Sequence, residues 1–386
     1  VTTTGAGAKR VVLNRLRLAN FRNHGALDLM TSGLNVALTG PNGAGKTNVL
    51  EALSMLSPGR GLRRAARADM ARQDGDGSWA VAAELDGASG PASLGTGIDA
   101  GEGEAGGGRR FRVNGAAASG PGTFSDHLRI VWLTPAMDGL FSGPAGDRRR
   151  FLDRLVLAAD AEHGTRVAAH ERVLRQRNRL LEDTGTDTRW LDAIERETAE
   201  LAVAVTAARI DTVQRLAALI AETRDDGSVF PHAEIALGGW IEADLVAGSA
   251  LGVEDAYRAR LRAMRARDRA AGRTVEGPQA SDLSVVHGPK NMPAALCSTG
   301  EQKALLIGIV LAHAALVARL QDAAPVVLLD EVAAHLDPGR RHALYDTLAA
   351  LGAQAWLTGA DPAAFAELGD RAALFRVAAG HAERMA

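Results

Sequence analysis

The residues with the clearest chemistry are Gly40, Pro41, Asn42, Gly43, Ala44, Gly45, Lys46 and Thr47, which fit the phosphate-loop pattern GxxxxGK[ST]. Glycine at 40, 43 and 45 allows positive φ and leaves no side chain between backbone and phosphate, so successive N–H groups can turn inward. In such a loop Lys46 reaches the β- and γ-phosphates of ATP and the Thr47 hydroxyl ligates Mg²⁺. A second set closes the apolar run Pro325 to Leu329 with Asp330 and Glu331. Asp330 is expected to hold Mg²⁺ through water, and Glu331 to orient or deprotonate the attacking water. Lys46 and Glu331 are therefore the expected catalytic pair. A third set is Ser298, Thr299, Gly300, Glu301 and Gln302, ahead of a long apolar stretch. A Ser hydroxyl, a Gly amide and a helix N-terminus in succession form an anion site. The first loop already serves its own nucleotide, so this one is free to receive the γ-phosphate of a second subunit. That is the logic of a head-to-tail dimer with ATP at the interface. Ser298 with Glu301 three residues on is also a capping box, and both roles can coexist.

The elements that must position these groups are legible around them. Leu34 to Leu38 reads as a buried strand and Asn48 to Leu56 as the helix behind the loop. Pro325 to Leu329 reads as a central parallel strand that delivers its carboxylates to the C-terminal sheet edge, where α/β sheets bind ligands. A last strand, Gln354 to Leu357, ends at Thr358. Upstream, Val11–Leu18 and Ala26–Met30 form a candidate hairpin across Asn20 to Gly25. Trp79–Leu85, Ser93–Ile98 and Arg109–Val113 suggest a small antiparallel sheet with a flexible tip at Gly101 to Gly108. Leu128 to Leu133 is another strand, ending at the breaker Thr134-Pro135. From Asp147 to about Arg273 the pattern is helical, with little strand signal. The expected division is an α/β nucleotide lobe of residues 1–140 and 290–386, with a helical lobe of residues 141–289 inserted.

Composition narrows the class. Hydrophobic content of 46% and charged content of 23% suit a soluble globular protein, and a net charge of −2 announces no global affinity for nucleic acid. Cys297, the one cysteine, excludes an internal disulfide and reads as a buried apolar residue in a reducing compartment. No basic-then-apolar leader opens the sequence, and Ala304–Val317 is shorter than the roughly 18–20 residues of a membrane span, so a buried helix and a cytoplasmic protein without membrane contact are expected.

Lysine occurs only at 9, 46, 290 and 303; arginine carries every other basic charge. The segment with Arg60, Arg63, Arg64, Arg67 and Arg72 is either a solvated loop or a nucleic-acid or subunit contact. Arg172, Arg175 and Arg179 share a helix face, as do Arg258, Arg262, Arg265 and Arg269 on a helix read as Tyr257–Ala271. Such stripes are ordinary solvated faces or a DNA surface, with Arg63, Arg64, Arg262, Arg265 and Arg269 the candidate contacts. Few aromatics interleave them, which favours phosphate contacts over base stacking.

Taken together, the sequence resembles the RecF family of bacterial recombination mediators, ATPases of the ABC class related to SMC heads. The resemblance runs nearly end to end. It rests on Leu16–Arg22, the phosphate loop with Asn48–Ala52, Ser57–Arg63, Pro144–Leu155, Leu174–Leu181, and the Ser298 and Asp330 motifs. It implies an ABC-type head, a mixed sheet with an attached antiparallel β subdomain, and a mostly α-helical insert of short antiparallel helices. It implies an ATP- and Mg²⁺-dependent homodimer that binds gapped or single-stranded DNA and hydrolyses ATP slowly, as a switch. It also implies action with RecO and RecR to load RecA in gap repair, replication restart and SOS induction, with Asp337 as the D-loop residue.

The family tends to carry two aspartates where this chain has Asp330-Glu331, and its Gly-Pro-His-Arg motif appears here as Gly277-Pro-Gln-Ala-Ser-Asp-Leu283. No switch histidine is assigned near Thr358. Other SMC-like or ABC-class ATPases and a non-hydrolysing, nucleotide-gated DNA clamp are the alternatives. About 150 helical residues folded as two arms at 1.5 Å each reach roughly 100 Å at most, which excludes a long coiled coil.

Overall fold

The structure is a computed structural model that describes residues 8–100, 108–183, 185, 187–225, 227–333 and 336–385. The expected hairpin tip at Gly101 to Gly108 lies outside the described residues except for Gly108. Two compact units make up the chain: one of residues 1–138, 225–230 and 306–386, the other of residues 139–224 and 231–305.

In the first unit, the short apolar runs pair as buried strands. Asn35–Thr39, Ala355–Gly359, Val326–Leu329 and Ile130–Leu133 lie side by side and parallel, and Ala372–Ala378 runs parallel on the other flank of Asn35–Thr39. His381–Arg384 adds an antiparallel edge. Almost every residue of the three strands ending at Leu133, Leu329 and Gly359 is buried, as expected for strands covered on both faces. A second, wholly antiparallel sheet follows the order His24–Met30, Val12–Phe21, Trp79–Gly87, Gly90–Ile98, Arg110–Val113, Ala116–Ala117. Its strands alternate buried and open residues, the pattern of a sheet with one solvated face. One apolar cluster holds this unit together. It takes Leu16 and Trp79 from the antiparallel sheet, Val49 and Leu53 from the helix Lys46–Ser54, and Leu328 and Trp356 from the parallel sheet.

The second unit contains the helices Ala145–Ala159, His163–Glu182, Thr188–Glu222, Trp240–Ala247, Ala250–Ala263 and Arg265–Ala271. Sequence reading missed its antiparallel sheet, in which Ala233–Gly238 pairs with Asp282–His287, and that strand with Met292–Pro293. Ala233–Gly238 is short and only half-buried, and its partner lies more than forty residues away, so nothing local marks it. The helix read as Tyr257–Ala271 is two helices, broken at Met264, whose φ of −90° and ψ of 0° leave the helical region. The long apolar helix is Thr299–Gln321; by length and composition it could cross a membrane, yet its Leu305, Leu306, Ile307, Val310, Ala314 and Val317 are buried.

Buried charge organises this second unit. Arg177, fully buried, reaches Glu195 at 3.1 Å, Asp268 at 2.7 Å, the Thr274 hydroxyl at 2.7 Å and Leu261 O at 2.7 Å. Asn178 Oδ1 accepts from the amide and hydroxyl of Thr274. The Leu174–Leu181 motif is therefore a structural node joining its own helix to three others. Removing one partner of such a network strands the others in low dielectric. Arg177→Ala should lower stability by about 3–5 kcal/mol, read as a drop in the urea midpoint at unchanged m-value.

Candidate nucleotide site

The phosphate loop joins the strand Asn35–Thr39 to the helix Lys46–Ser54, which starts two residues earlier than expected. Gly40, Gly43 and Gly45 have φ of 142°, 80° and 110°, all in the region L side chains avoid. At Gly40 the restriction is also spatial: a Cβ would lie 2.2 Å from Val377 O. Pro41, Asn42 and Gly43 are exposed at the tip, whereas Ala44, Gly45 and Lys46 are buried.

Three groups from separate parts of the chain meet beneath the loop. Thr47 donates its hydroxyl to Asp330 Oδ1 at 2.8 Å across 283 residues of sequence. Thr358 donates to the same Asp330 oxygen at 2.8 Å. The Glu331 amide donates to Thr358 Oγ1 at 2.9 Å. Strand register produces this meeting: Gly359 lies opposite Thr39 and Leu357 opposite Leu329, so Asp330, the residue after its strand, comes level with Thr358. Thr358 was legible only as a residue at a strand end, and its role needs the tertiary pairing.

Lys46 donates to Gly40 O at 2.7 Å and Pro41 O at 3.1 Å, and its Nζ lies 3.5 Å from Glu331 Oε1. Glu331 sits at φ 54°, a left-handed backbone unusual for a non-glycine residue and of the kind found at functional sites. The loop is supported from outside by two residues given no role from sequence. Asn23 Nδ2 donates to Ala44 O at 2.9 Å, and buried His24 places Nε2 3.1 Å from Gly45 O.

Ser298, Thr299 and Gly300 are exposed at the start of the helix Thr299–Gln321, and nothing would meet a Cβ at Gly300 within 4 Å. The capping box is formed: the Ser298 amide and hydroxyl donate to Glu301 Oε2 at 3.0 and 2.9 Å. Glu301 also pairs with Lys290. Gln302 turns inward, buried, and donates to Cys297 O at 2.9 Å. Cys297 is itself buried, which pushes its thiol pKa up. Leu296, beside this motif, is 73% exposed. Asp337 caps the helix Pro338–Ala350 by accepting from the Arg340 amide at 2.9 Å.

The arginines singled out from sequence are largely occupied. Arg63 reaches Asn48 at 2.6 Å and Glu51 at 2.9 Å, and Glu51, 0% exposed, also holds Arg22 through two hydrogen bonds of 2.9 and 2.7 Å. Arg262 pairs with Asp192 at 2.7 Å; Arg265 meets Asp192 and Glu195, each at 2.5 Å; Arg269 donates to Leu181 O at 2.6 Å. The expected single-helix stripe is thus split over two helices and tied to acids on a third. Arg64 is exposed with φ 56°.

The Lys290 ammonium, followed by the Ser298 amide, holds the Glu301 carboxyl down at about 2. A depressed carboxylate contributes stability above its ordinary titration range and loses that contribution as pH falls toward its folded value. Acidification from about 4.5 towards 2 should therefore loosen the start of this helix. In Lys290→Ala the Glu301 side-chain carboxyl resonance should titrate closer to the usual carboxylate range; an unmoved midpoint would show that Lys290 does not hold it.

Comparison with known proteins gives a consistent assignment. The family model described as the RecF/RecN/SMC N terminal domain matches residues 12–382. The DNA replication and repair protein RecF of Mesorhizobium japonicum is 55% identical over 365 residues, covering 95% of this chain and 96% of that protein. The protein of the same description from Brucella suis biovar 1 is 54% identical over 372 residues, covering 96% of each. Among solved structures, the recombination mediator protein RecF–ATPrS of the RecFOR pathway superposes with a TM-score of 0.85 at 20% identity, covering 99% of this chain and 100% of that one. A SmcHead bound to the C-winged helix domain of ScpA gives 0.54 at 15% identity, with 97% of each chain covered. At these identities the structures bear on the fold alone.

Proposed function

The chain belongs to the RecF family within the RecF/RecN/SMC N-terminal domain group, and from that premise we propose that it is an ATP-switched, DNA-binding mediator of gap repair. The observation that carries this reading is the meeting of Thr47, Asp330 and Thr358 beneath the phosphate loop. Two oxygen donors on adjacent elements suit a hard cation. Thr47 and Asp330 would hold Mg²⁺, which when bound supplies charge to offset that developing on the phosphates.

The protein's own groups do the rest. Lys46, now on two loop carbonyls and Glu331, would exchange them for the β- and γ-phosphates of ATP. That exchange would free Glu331 to orient or deprotonate a water. Ser298 would release Glu301 to contact the γ-phosphate of a second copy of the chain, with Thr299 and Gly300 beside it and Asp337 at the same interface. The exposed Leu296 supports this placement, because an isolated large apolar side chain next to a motif of that kind gains from being covered. The resulting homodimer would bind single-stranded or gapped DNA, hydrolyse ATP weakly, and act in the cytoplasm with RecO and RecR to promote RecA loading, replication restart and SOS induction. Among the candidate DNA contacts, the Arg262 side chain is 61% exposed while paired with Asp192; Arg63 and Arg265 are bound by the buried acids Glu51 and Glu195, and the exposed Arg64 and Arg269 complete the set.

Hydrolysis separates this reading from a non-hydrolysing clamp. Lys46→Ala should abolish ATP binding. Glu331→Gln should bind ATP yet turn over at least about a hundredfold more slowly and stay on gapped DNA, as loss of a general base requires. Turnover of Glu331→Gln at the wild-type rate would remove Glu331 as the base. Ser298→Arg and Leu296→Asp should keep nucleotide binding and lose ATP-dependent dimers by light scattering; a dimer surviving Ser298→Arg would remove the trans contact.

A further inference from the structure

The phosphate loop works only if its N–H groups face the ligand, and an isolated loop rich in glycine has no reason to hold them there. A trans peptide is planar, so a carbonyl and the N–H of the next residue point in opposite directions. No peptide bond among the described residues is cis. Whatever holds a loop carbonyl therefore also aims the N–H that follows it.

Two successive loop carbonyls are held from outside. Ala44 O accepts from Asn23 Nδ2 at 2.9 Å. The orientation of that amide is set by its other end, where Asn23 Oδ1 accepts from Asn48 Nδ2 at 2.7 Å. Gly45 O lies 3.1 Å from His24 Nε2 and also accepts from the amides of Asn48 and Val49 at 3.0 and 3.3 Å. By planarity the N–H groups of Gly45 and Lys46 point the opposite way, away from Asn23 and His24. His24 is fully buried between two carbonyls, with Nδ1 2.7 Å from Gly380 O in the turn between Ala372–Ala378 and His381–Arg384; a neutral imidazole has one N–H for the two, and support of Gly45 O requires it on Nε2. The fit is close on every side. A Cβ on Gly45 would sit 2.6 Å from the Asn23 amide and 2.8 Å from His24 Nε2, and one on Gly380 would sit 2.3 Å from Asn23 O.

We propose that Asn23 and His24 are positioning residues for nucleotide binding, which hold the Ala44 and Gly45 carbonyls outward so that the Gly45 and Lys46 amides face the phosphates, with the C-terminal hairpin as their backstop. The proposal rests on the nucleotide reading above and adds to it the residues that pre-organise the loop. Neither side chain touches the nucleotide; both act through the backbone. The requirement for glycine at 45 follows from the same packing, since any side chain there displaces the two supports.

The test measures equilibrium binding of ATP and of ADP to the full chain, with the unfolding midpoint of the nucleotide-free protein recorded alongside. Asn23→Ala, which removes a donor at little cost in buried surface, should weaken both nucleotides by about tenfold, as loss of an orienting hydrogen bond allows. His24→Leu and His24→Gln replace the ring with side chains of comparable bulk, but only Gln can donate to Gly45 O. Both should lower the unfolding midpoint, and Gln should restore affinity to within about threefold of wild type while Leu does not. Equal affinity of the Gln and Leu variants, or wild-type affinity in Asn23→Ala while Lys46→Ala has lost binding, would overturn the proposal and leave the nucleotide site standing. Wild-type affinity in Lys46→Ala as well would overturn the nucleotide reading, and the proposal with it.

Discussion

The nucleotide lobe depends on the register of three parallel strands. Asn35–Thr39, Ala355–Gly359 and Val326–Leu329 are paired so that Asp330, just past its strand, comes level with Thr358, and Thr47 meets them at the Asp330 carboxylate. A shift of one residue in any pairing would turn every side chain of that strand to the opposite face. Val326 to Leu329 and Ala355 to Gly359 are buried on both faces, so burial alone would tolerate such a shift; the one polar residue among them, Thr358, pins the register by bonding to Asp330. The core of this unit and its chemistry are thus set by the same pairing.

A second theme is how arginine is used. In the helical unit Arg177 is a buried node, and Arg265 lies on Asp192 and Glu195. In the nucleotide unit Glu51 takes both Arg22 and Arg63. Pairing of this sort holds elements in place more than it presents charge to a ligand, since a phosphate would have to displace a carboxylate already desolvated with its partner.

What could be read from sequence was what is local. The phosphate loop, the Asp330-Glu331 pair and the capping box at Ser298 and Glu301 each lie within a few residues, and their geometry follows from the strand or helix that carries them. The antiparallel hairpins were legible for the same reason. The strand Ala233–Gly238 was not, because its partner is remote and its own pattern only half-buried. Arg262 and Arg265 looked free because their acids lie about seventy residues away, and Asn23 and His24 looked like an ordinary turn because Ala44, Gly45 and Gly380 come to them only in the folded chain. Sequence reading named the candidate nucleotide contacts and gave no role to Asn23 and His24, which the fold brings against the loop carbonyls.

In the proposed function ATP joins two copies of the chain through Ser298, and the most direct test is mass in solution. Light scattering on a sizing column, with no nucleotide, with ADP and with a non-hydrolysable ATP analogue, should give twice the 40.3 kDa chain mass only with the analogue, and that dimer should persist on gapped DNA. A monomer under all three conditions, in protein shown to bind the analogue, would contradict the account and leave Ser298 as a helix cap alone.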